Sequence, residues 1–217
     1  MKKTPTSLRI TEIFYSLQGE STTVGLPTVF VRLTGCPLRC QYCDTAYAFH
    51  GGQHIELDQI IQQITDYNCL NVCVTGGEPL AQPGCIDLLK HLCDKGLAVS
   101  LETSGARSLE HVDPRVMIVM DLKTPDSGEC DKNLFSNLNY LKPSDQIKFV
   151  ICSEHDYQWA CDQIIQHKLT EHVQILFSPS WGQLDPSLLA DWIVRDRLSV
   201  RFQLQLHKIL WHDTPGR

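Results

Sequence analysis

Short apolar runs of strand character alternate with helical stretches along most of this chain, and that order restricts the fold more than any other feature. "TVFVRLTG" (28–35), "NVCVTGG" (71–77), "LAVSLETSG" (97–105), "VMIVMDLK" (116–123), "QIKFVI" (146–151) and "HVQILFSP" (172–179) are rich in β-branched and apolar residues, as expected of strands in a covered sheet. Between them, "IELDQIIQQITDY" (55–67) carries apolar residues at 57, 60, 61 and 64, which is helical spacing. "CIDLLKHLCDKG" (85–96) reads as a helix closed by Gly96, and "DYQWACDQIIQHK" (156–168) as another. "DPSLLADWIVRD" (185–196) opens with Asp185 at the N-cap and Pro186 at the first helical position. "VRFQLQLHKIL" (200–210) alternates and is expected to be a final strand. Strands followed by helices predict an α/β fold with a mostly parallel sheet. A full eight-unit barrel takes about 250 residues. The chain has 217, with about six strands in its repeating part, so the expectation is an incomplete, splayed βα barrel.

No internal repeat or low-complexity linker interrupts the pattern, and one domain over residues 1–217 is expected. The formal charge is −6 and the basic residues are scattered, which excludes the basic stripe of a nucleic-acid binder. No apolar run approaches the roughly 20 residues that cross a bilayer, and the start "MKKTPTSLRITEIF" has no secretory core, so a cytoplasmic protein with no membrane partner is expected. Five polar clusters, "CPLRCQYC", "TGGEP", "ETSG", "DLKTP" and "SPSWG", stand where strands end. In parallel α/β sheets ligands bind beyond those carboxyl ends, so the five are expected to line one mouth.

Three of the ten cysteines fall within eight positions, Cys36, Cys40 and Cys43, a spacing unlike a disulfide framework. A structural zinc site needs four ligands, and Cys69 and Cys73 complete one only in form, since Cys73 lies in an expected strand. An iron–sulfur cluster is held by thiolates, and three on one loop leave one iron open for chemistry. "TGGEP" adds two glycines that let backbone approach a ligand closely. The alternatives at this point are a cluster with an open iron, a closed zinc site, and three unrelated cysteines.

Cys36-xxx-Cys40-xx-Cys43 after the first run, followed about one βα unit later by "TGGEP", resembles the signature of the radical S-adenosylmethionine (SAM) superfamily. Within it, "YSLQGES" (15–21), "FVRLTGCPLRCQYCDT" (30–45), "TGGEP", "ETSG", "DLKTP" and "QLHK" (205–208) are similar, in order, to the 7-carboxy-7-deazaguanine synthase family. The resemblance covers most of the chain. It implies a shortened barrel, a 4Fe–4S cluster on Cys36, Cys40 and Cys43 with SAM on the fourth iron, Mg²⁺, and a homodimer. The implied reaction is conversion of 6-carboxy-5,6,7,8-tetrahydropterin to 7-carboxy-7-deazaguanine with loss of ammonia, on the route to queuosine and other deazapurines. A low-potential reductant such as a flavodoxin would feed the cluster.

Site roles follow from the same resemblance. Leu17, Gln18, Gly19, Arg32 and Thr75 match substrate-binding positions. Tyr42, Cys43, Asp44, Gly77, Asp121, Leu122 and Lys123 match SAM-contacting positions, and Thr45 matches the magnesium ligand. Physical chemistry stands beside these matches. A pterin has a donor and acceptor edge, which a side-chain amide such as Gln18 can meet; Gln18 is equally a turn residue at a strand end. Arg32 interrupts an apolar strand, where an unpaired guanidinium is costly, and it offers a bidentate grip on a substrate carboxylate. Glu102 ends its run as a proton-transfer or hydrogen-bonding group, and His207 is expected to approach the substrate from the final strand or else to be an ordinary satisfied histidine. The rival functions are a glycyl-radical-enzyme activase and an iron–sulfur electron carrier.

Overall fold

The computed structural model describes residues 7–212, 214 and 216. The chain opens with β1 (Ser7–Leu17) and β2 (Pro27–Leu33), then β3 (Gln53–Glu56) and α1 (Leu57–Asp66). Next come β4 (Asn71–Gly76), α2 (Cys85–Asp94), β5 (Ala98–Thr103), β6 (Met117–Asp121), β7 (Gln146–Ile151) and α3 (Glu154–His167). The chain finishes with β8 (Gln174–Pro179), α4 (Pro186–Arg195), β9 (Arg201–Phe202) and α5 (Leu206–Trp211). One nine-stranded sheet runs in the order β3-β1-β2-β4-β5-β6-β7-β8-β9. Pairings from β2 to β9 are parallel, while β1 pairs antiparallel with both β2 and β3. The end strands β3 and β9 do not meet, so the barrel stays open, as expected.

Alternation along each strand divides the sheet into a helix-covered face and a concave face. Val29, Val31, Leu33, Val72 and Val74 point outward and pack with Ile60, Ile61 and Ile64 of α1 and Leu88, Leu89 and Leu92 of α2. A second core joins Ile147, Phe149 and Ile151 of β7 to Tyr157 of α3 and Trp192 of α4. The alternate residues Arg32, Thr75 and Glu102 face the concave side with the cavity. Both helix signals hold. Gly96 adopts φ +78° and closes α2 through Gly96 N–H to Cys93 O at 2.9 Å and Leu97 N–H to Leu92 O at 3.3 Å. Asp185 caps α4 by accepting from Ser187 N–H at 2.9 Å, with Pro186 following.

Three expectations need correction. Ile55 and Glu56 belong to β3, and α1 begins only at Leu57, because Ser7–Ile10 of β1 offers an edge that pairs Gln53–Glu56 first. The helix expected over 156–168 begins at Glu154, where Ser153 caps it. The expected final strand over 200–210 pairs only at Arg201 and Phe202. Beyond them the Gln203 side chain leaves for the backbone of Ser21, Leu206 N–H donates to Gly19 O at 3.0 Å, and the chain turns into α5. Of the seven other cysteines, Cys73, Cys85 and Cys93 are buried core residues and the rest are half-buried.

The segment Gln18–Leu26 ties the two ends of the open sheet together. It leaves β1 and reaches β7, where Thr22 N–H donates to Gln146 Oε1 at 2.9 Å. It also reaches Gln203, whose amide makes two 2.8 Å bonds with Ser21 N–H and Ser21 O. Side-chain amides thus take the place of the missing strands.

Candidate active site

A cavity of about 430 Å³ opens at the carboxyl ends of the parallel strands, and all five polar clusters contribute to its lining. Of the sequence-predicted site residues, only Leu122 is not among the lining residues. Asp121 and Lys123 face the cavity, so strand alternation turns the Leu122 side chain the other way, fully buried in the core against β7 and α3.

Cys36, Cys40 and Cys43 sit half-buried on the loop after β2, all facing this cavity. The loop is held by its own backbone, with Gly35 N–H on Ala48 O at 2.8 Å, Glu78 N–H on Gly35 O at 2.9 Å and Cys43 N–H on Cys40 O at 3.2 Å. Burial pushes the Cys40 thiol up to about 11 against the pull of Lys123. Loading a metal there displaces protons. Among the described residues, Asp126, His155 and Asp156 form the only group of three metal-ligating side chains whose ligand atoms lie within 4.8 Å of one another. The three thiols therefore do not all lie within 4.8 Å of one another, whereas three sulfurs on tetrahedral zinc with 2.3 Å bonds stand roughly 3.8 Å apart. Wider spacing suits a multi-iron cluster.

The "TGGEP" loop lies against the cysteine loop. A Cβ on Gly77 would stand 2.4 Å from Gly35 O and 2.7 Å from Cys36 Cβ, so only glycine fits this close approach. Glu78, fully buried, does not face the cavity. It accepts from Leu80 N–H at 2.9 Å, Ser104 N–H at 2.8 Å, Ser104 Oγ at 2.5 Å and Thr103 Oγ1 at 2.9 Å. Its carboxyl thereby joins the "TGGEP" and "ETSG" loops.

Just inside these loops, on the adjacent strands β4 and β5, Glu102 accepts from Gln18 Nε2 and Thr75 Oγ1, each at 3.1 Å. Gln18 Oε1 accepts from Glu20 N–H at 3.1 Å, so the amide is engaged at both ends. The Gln18 backbone is occupied too: its N–H donates to Leu26 O at 2.9 Å and its carbonyl accepts from Gly25 N–H at 2.7 Å. Arg32 gives Nε to Glu12 Oε1 at 2.7 Å, and Tyr47 donates to the same oxygen. Burial works against the Arg32 charge, and Tyr47, Glu12 and Glu102 outweigh it. His207 enters from α5, not from a strand. A Cβ on Gly19 would fall 2.2 Å from His207 Nδ1, so Gly19 makes room for the ring.

A line of alternating charges runs along the cavity. Lys148 Nζ lies 2.6 Å from Glu20 Oε2 and 3.6 Å from Asp121 Oδ2, and Lys123 Nζ lies 3.0 Å from Asp121 Oδ2. Lys123 also stands 5.4 Å from the centroid of the Tyr42 ring. Asp121 Oδ1 and the Tyr42 hydroxyl are buried without a hydrogen-bond partner in the protein, as befits groups that await a polar ligand. Nearby, Thr45 Oγ1 donates to Asp44 Oδ1 at 2.7 Å, which leaves its lone pairs for a metal. Asp44 stays below the usual carboxylate range although burial pushes it up, because Thr45, Lys208, Lys148 and His207 favour its charge.

Sequence reasoning missed Glu12, Glu20, Glu78 and Lys148. Lys148 carried a usable signal, a charge inside an apolar strand, the same signal that singled out Arg32. Glu20 and Glu78 lay inside quoted motifs, but nothing in their spacing gives their partners. The "SPSWG" turn places Ser180 and Trp181 on the cavity.

The chain is similar to proteins of known family. Residues 30–120 match the radical SAM superfamily model. A 7-carboxy-7-deazaguanine synthase from Chlorobaculum tepidum is 46% identical over 96% of this chain and 96% of its own length. Those from Koribacter versatilis and Thermoplasma acidophilum are 40% and 39% identical, covering 94% and 95% of this chain and 97% and 99% of their own. The fold is like that in the crystal structure of QueE from Escherichia coli, with a TM-score of 0.77 at 20% identity over 93% of this chain and 95% of that one. The thiol triplet, the glycine cradle and full-length identity converge: the chain belongs to the 7-carboxy-7-deazaguanine synthase family and is a radical SAM lyase, a class that implies a 4Fe–4S cluster and SAM.

Proposed function

We propose that this cavity converts 6-carboxy-5,6,7,8-tetrahydropterin to 7-carboxy-7-deazaguanine with loss of ammonia, within a single domain of the open-barrel type. The observation that carries this is the placement of Glu102, a carboxylate on one wall of the cavity whose cysteine wall holds three thiols. A pterin presents adjacent N–H donors on its pyrimidine edge, and a carboxylate accepts both.

Cys36, Cys40 and Cys43 would hold the cluster, which with SAM supplies a carbon radical able to remove a hydrogen atom from the substrate. The chain's own residues then bind and orient. Arg32, already fixed by Glu12, turns toward the substrate carboxylate with charge that needs no further proton. Thr75 and Gln18 hold Glu102 in one rotamer, so its acceptor direction is set before substrate arrives. Leu17, Gly19 and His207 close the side next to the pterin. Gly77, Tyr42, Asp44, Asp121 and Lys123 take SAM, and Leu122 contributes through backbone alone. Thr45 would bind Mg²⁺ weakly without substrate, since one hydroxyl is a poor site and Mg²⁺ borrows substrate oxygens. A homodimer and a low-potential reductant such as flavodoxin complete the proposal. No helix among the described residues is long and apolar enough to cross a membrane, in keeping with a cytoplasmic setting.

The test is anaerobic reconstitution, then dithionite, SAM and the pterin acid, with mass spectrometry of the products. The expected result is 7-carboxy-7-deazaguanine formed with SAM retained. Formation of 5′-deoxyadenosine with no deazapurine would point to the activase instead, and formation of neither to an electron carrier.

A further inference from the structure

Lys148 is the only charged residue of β7, and none of the roles above uses it. Its ammonium stands between two carboxylates from distant parts of the chain, Glu20 on the segment after β1 and Asp121 at the end of β6. The three side chains are only 15%, 11% and 15% exposed. A buried ammonium gives up hydration and persists only with partners. Burial opposes the Lys148 charge, and Glu20, Asp121 and Glu102 outweigh it.

Each carboxylate leads to a different half of the cavity. Glu20 accepts from Gln205 Nε2 at 2.8 Å and donates its N–H to Gln18, so it moves with the Gln18–Gly19 wall. Asp121 pairs with Lys123, which lies over Tyr42 in the cysteine loop. Sheet register fixes Lys148 beside Asp121. The Gln18–Leu26 segment lies outside the sheet, so its distance from the strand ends depends on side-chain bonds. The Lys148–Glu20 pair is the charged one among them.

We propose that Lys148 is a positioning residue: through Glu20 it sets the distance between the substrate half and the cofactor half of the cavity, so that radical formation is coupled to turnover of the pterin. This rests on the reaction proposed above. Misplacing the substrate half by even an ångström would leave reductive cleavage of SAM possible, but the radical would then take its hydrogen atom from solvent, dithionite-derived reductant or protein and not from the pterin, ending as 5′-deoxyadenosine without deazapurine. The signature is a changed ratio of 5′-deoxyadenosine released to deazapurine formed, counted per iron-loaded molecule, together with, apart from turnover, weaker binding of the pterin acid to the reconstituted protein before reduction, read by equilibrium dialysis. A variant that merely unfolds in part loses both products in proportion.

The experiment compares wild type, Lys148→Met, Lys148→Arg and the double variant Lys148→Met with Glu20→Gln, all reconstituted anaerobically with matched iron content. Lys148→Met is expected to raise the ratio about tenfold or more, Lys148→Arg to stay within about threefold of wild type, and Glu20→Gln in the double variant to recover part of the loss by removing the stranded carboxylate. Should Lys148→Met not load iron, Glu20→Gln alone carries the test, with an expected rise of about threefold or more. An unchanged ratio in the variants overturns the role of Lys148 alone. No deazapurine from wild type overturns the reaction and this role together.

Discussion

Replacing Glu78 by alanine is expected to destabilise the protein through the two loops it joins, and the size of the effect follows from its partners. Four donors lose their acceptor: the N–H groups of Leu80 and Ser104 and the hydroxyls of Ser104 and Thr103. Hydroxyls can rotate toward other acceptors, but the two backbone N–H groups cannot. Each buried N–H left unpaired costs about 1–3 kcal/mol. The space vacated by the carboxyl group can admit a water that returns part of this. A net loss of about 3 kcal/mol results. For 217 residues, at about 2.1 cal/mol/K per residue, that loss lowers Tm by about 7 °C. Glu78→Gln is no remedy, since its amide N–H₂ must face at least one of the N–H donors, and it is expected to recover less than half of the loss. Calorimetry of the apo-protein under anaerobic conditions measures both variants. A drop of less than about 2 °C for Glu78→Ala would refute the argument that this carboxyl holds the loops together.

Further expectations concern the cavity and one surface pair. Gly77→Ala forces Gly35 and Cys36 apart and is expected to weaken SAM binding about tenfold or more, read by equilibrium dialysis on reconstituted protein. Glu102→Gln is expected to lower kcat/KM for the pterin acid about a hundredfold while iron content and SAM affinity stay at wild-type values. Arg115 holds Asp113 down at about 2 through side-chain and backbone hydrogen bonds. Its folded value is depressed, so its stabilisation is present above the unfolded value near 3.9 and is lost as pH falls toward 2. The difference in Tm between wild type and Asp113→Ala is therefore expected to be constant from pH 5 to 7, to narrow below about pH 4 and to close only near pH 2, in thermal melts on the apo-protein.

The parallel strands and their helices were legible because each announces itself locally. Covered strands need apolar runs, helices need apolar residues at helical spacing, and both Gly96 and Asp185 mark helix ends by conformational rules that operate within a few residues. The antiparallel β1 was not legible in this way. Its sequence "SLRITEIFYSL" mixes exposed and buried positions, with a register shift between Ile10 and Glu12 that breaks the alternation. The last strand failed for a related reason. Alternation in "VRFQLQLHKIL" satisfies a strand locally, but the glutamines at 203 and 205 bond to Ser21 and Glu20, about 180 residues away, and those contacts turn the chain into α5.

The site divides along the same line. Residues whose chemistry is bound to local spacing, the three thiols and the glycines of "TGGEP", could be placed from sequence because each set sits within one short segment. Residues that act through a partner could not, because the partner lies on another strand end. Arg32 shows the boundary: burial of a guanidinium predicted that it must be paired, and it is, but Glu12 supplies the pair from β1, so the pairing does not by itself require a ligand. Glu102 makes the opposite point. Its two hydrogen bonds come from Thr75 and Gln18, both of them assigned to substrate on resemblance, and those bonds give the two residues a physical task, holding the carboxylate in place, even before any substrate is bound. The open side of the barrel decides why this task falls to Gln18. With no strand to close the sheet, the Gln18–Leu26 segment must do so, and its amide and charge contacts fix the same residues that border the cavity. Closure of the fold and construction of this side of the cavity are one set of interactions.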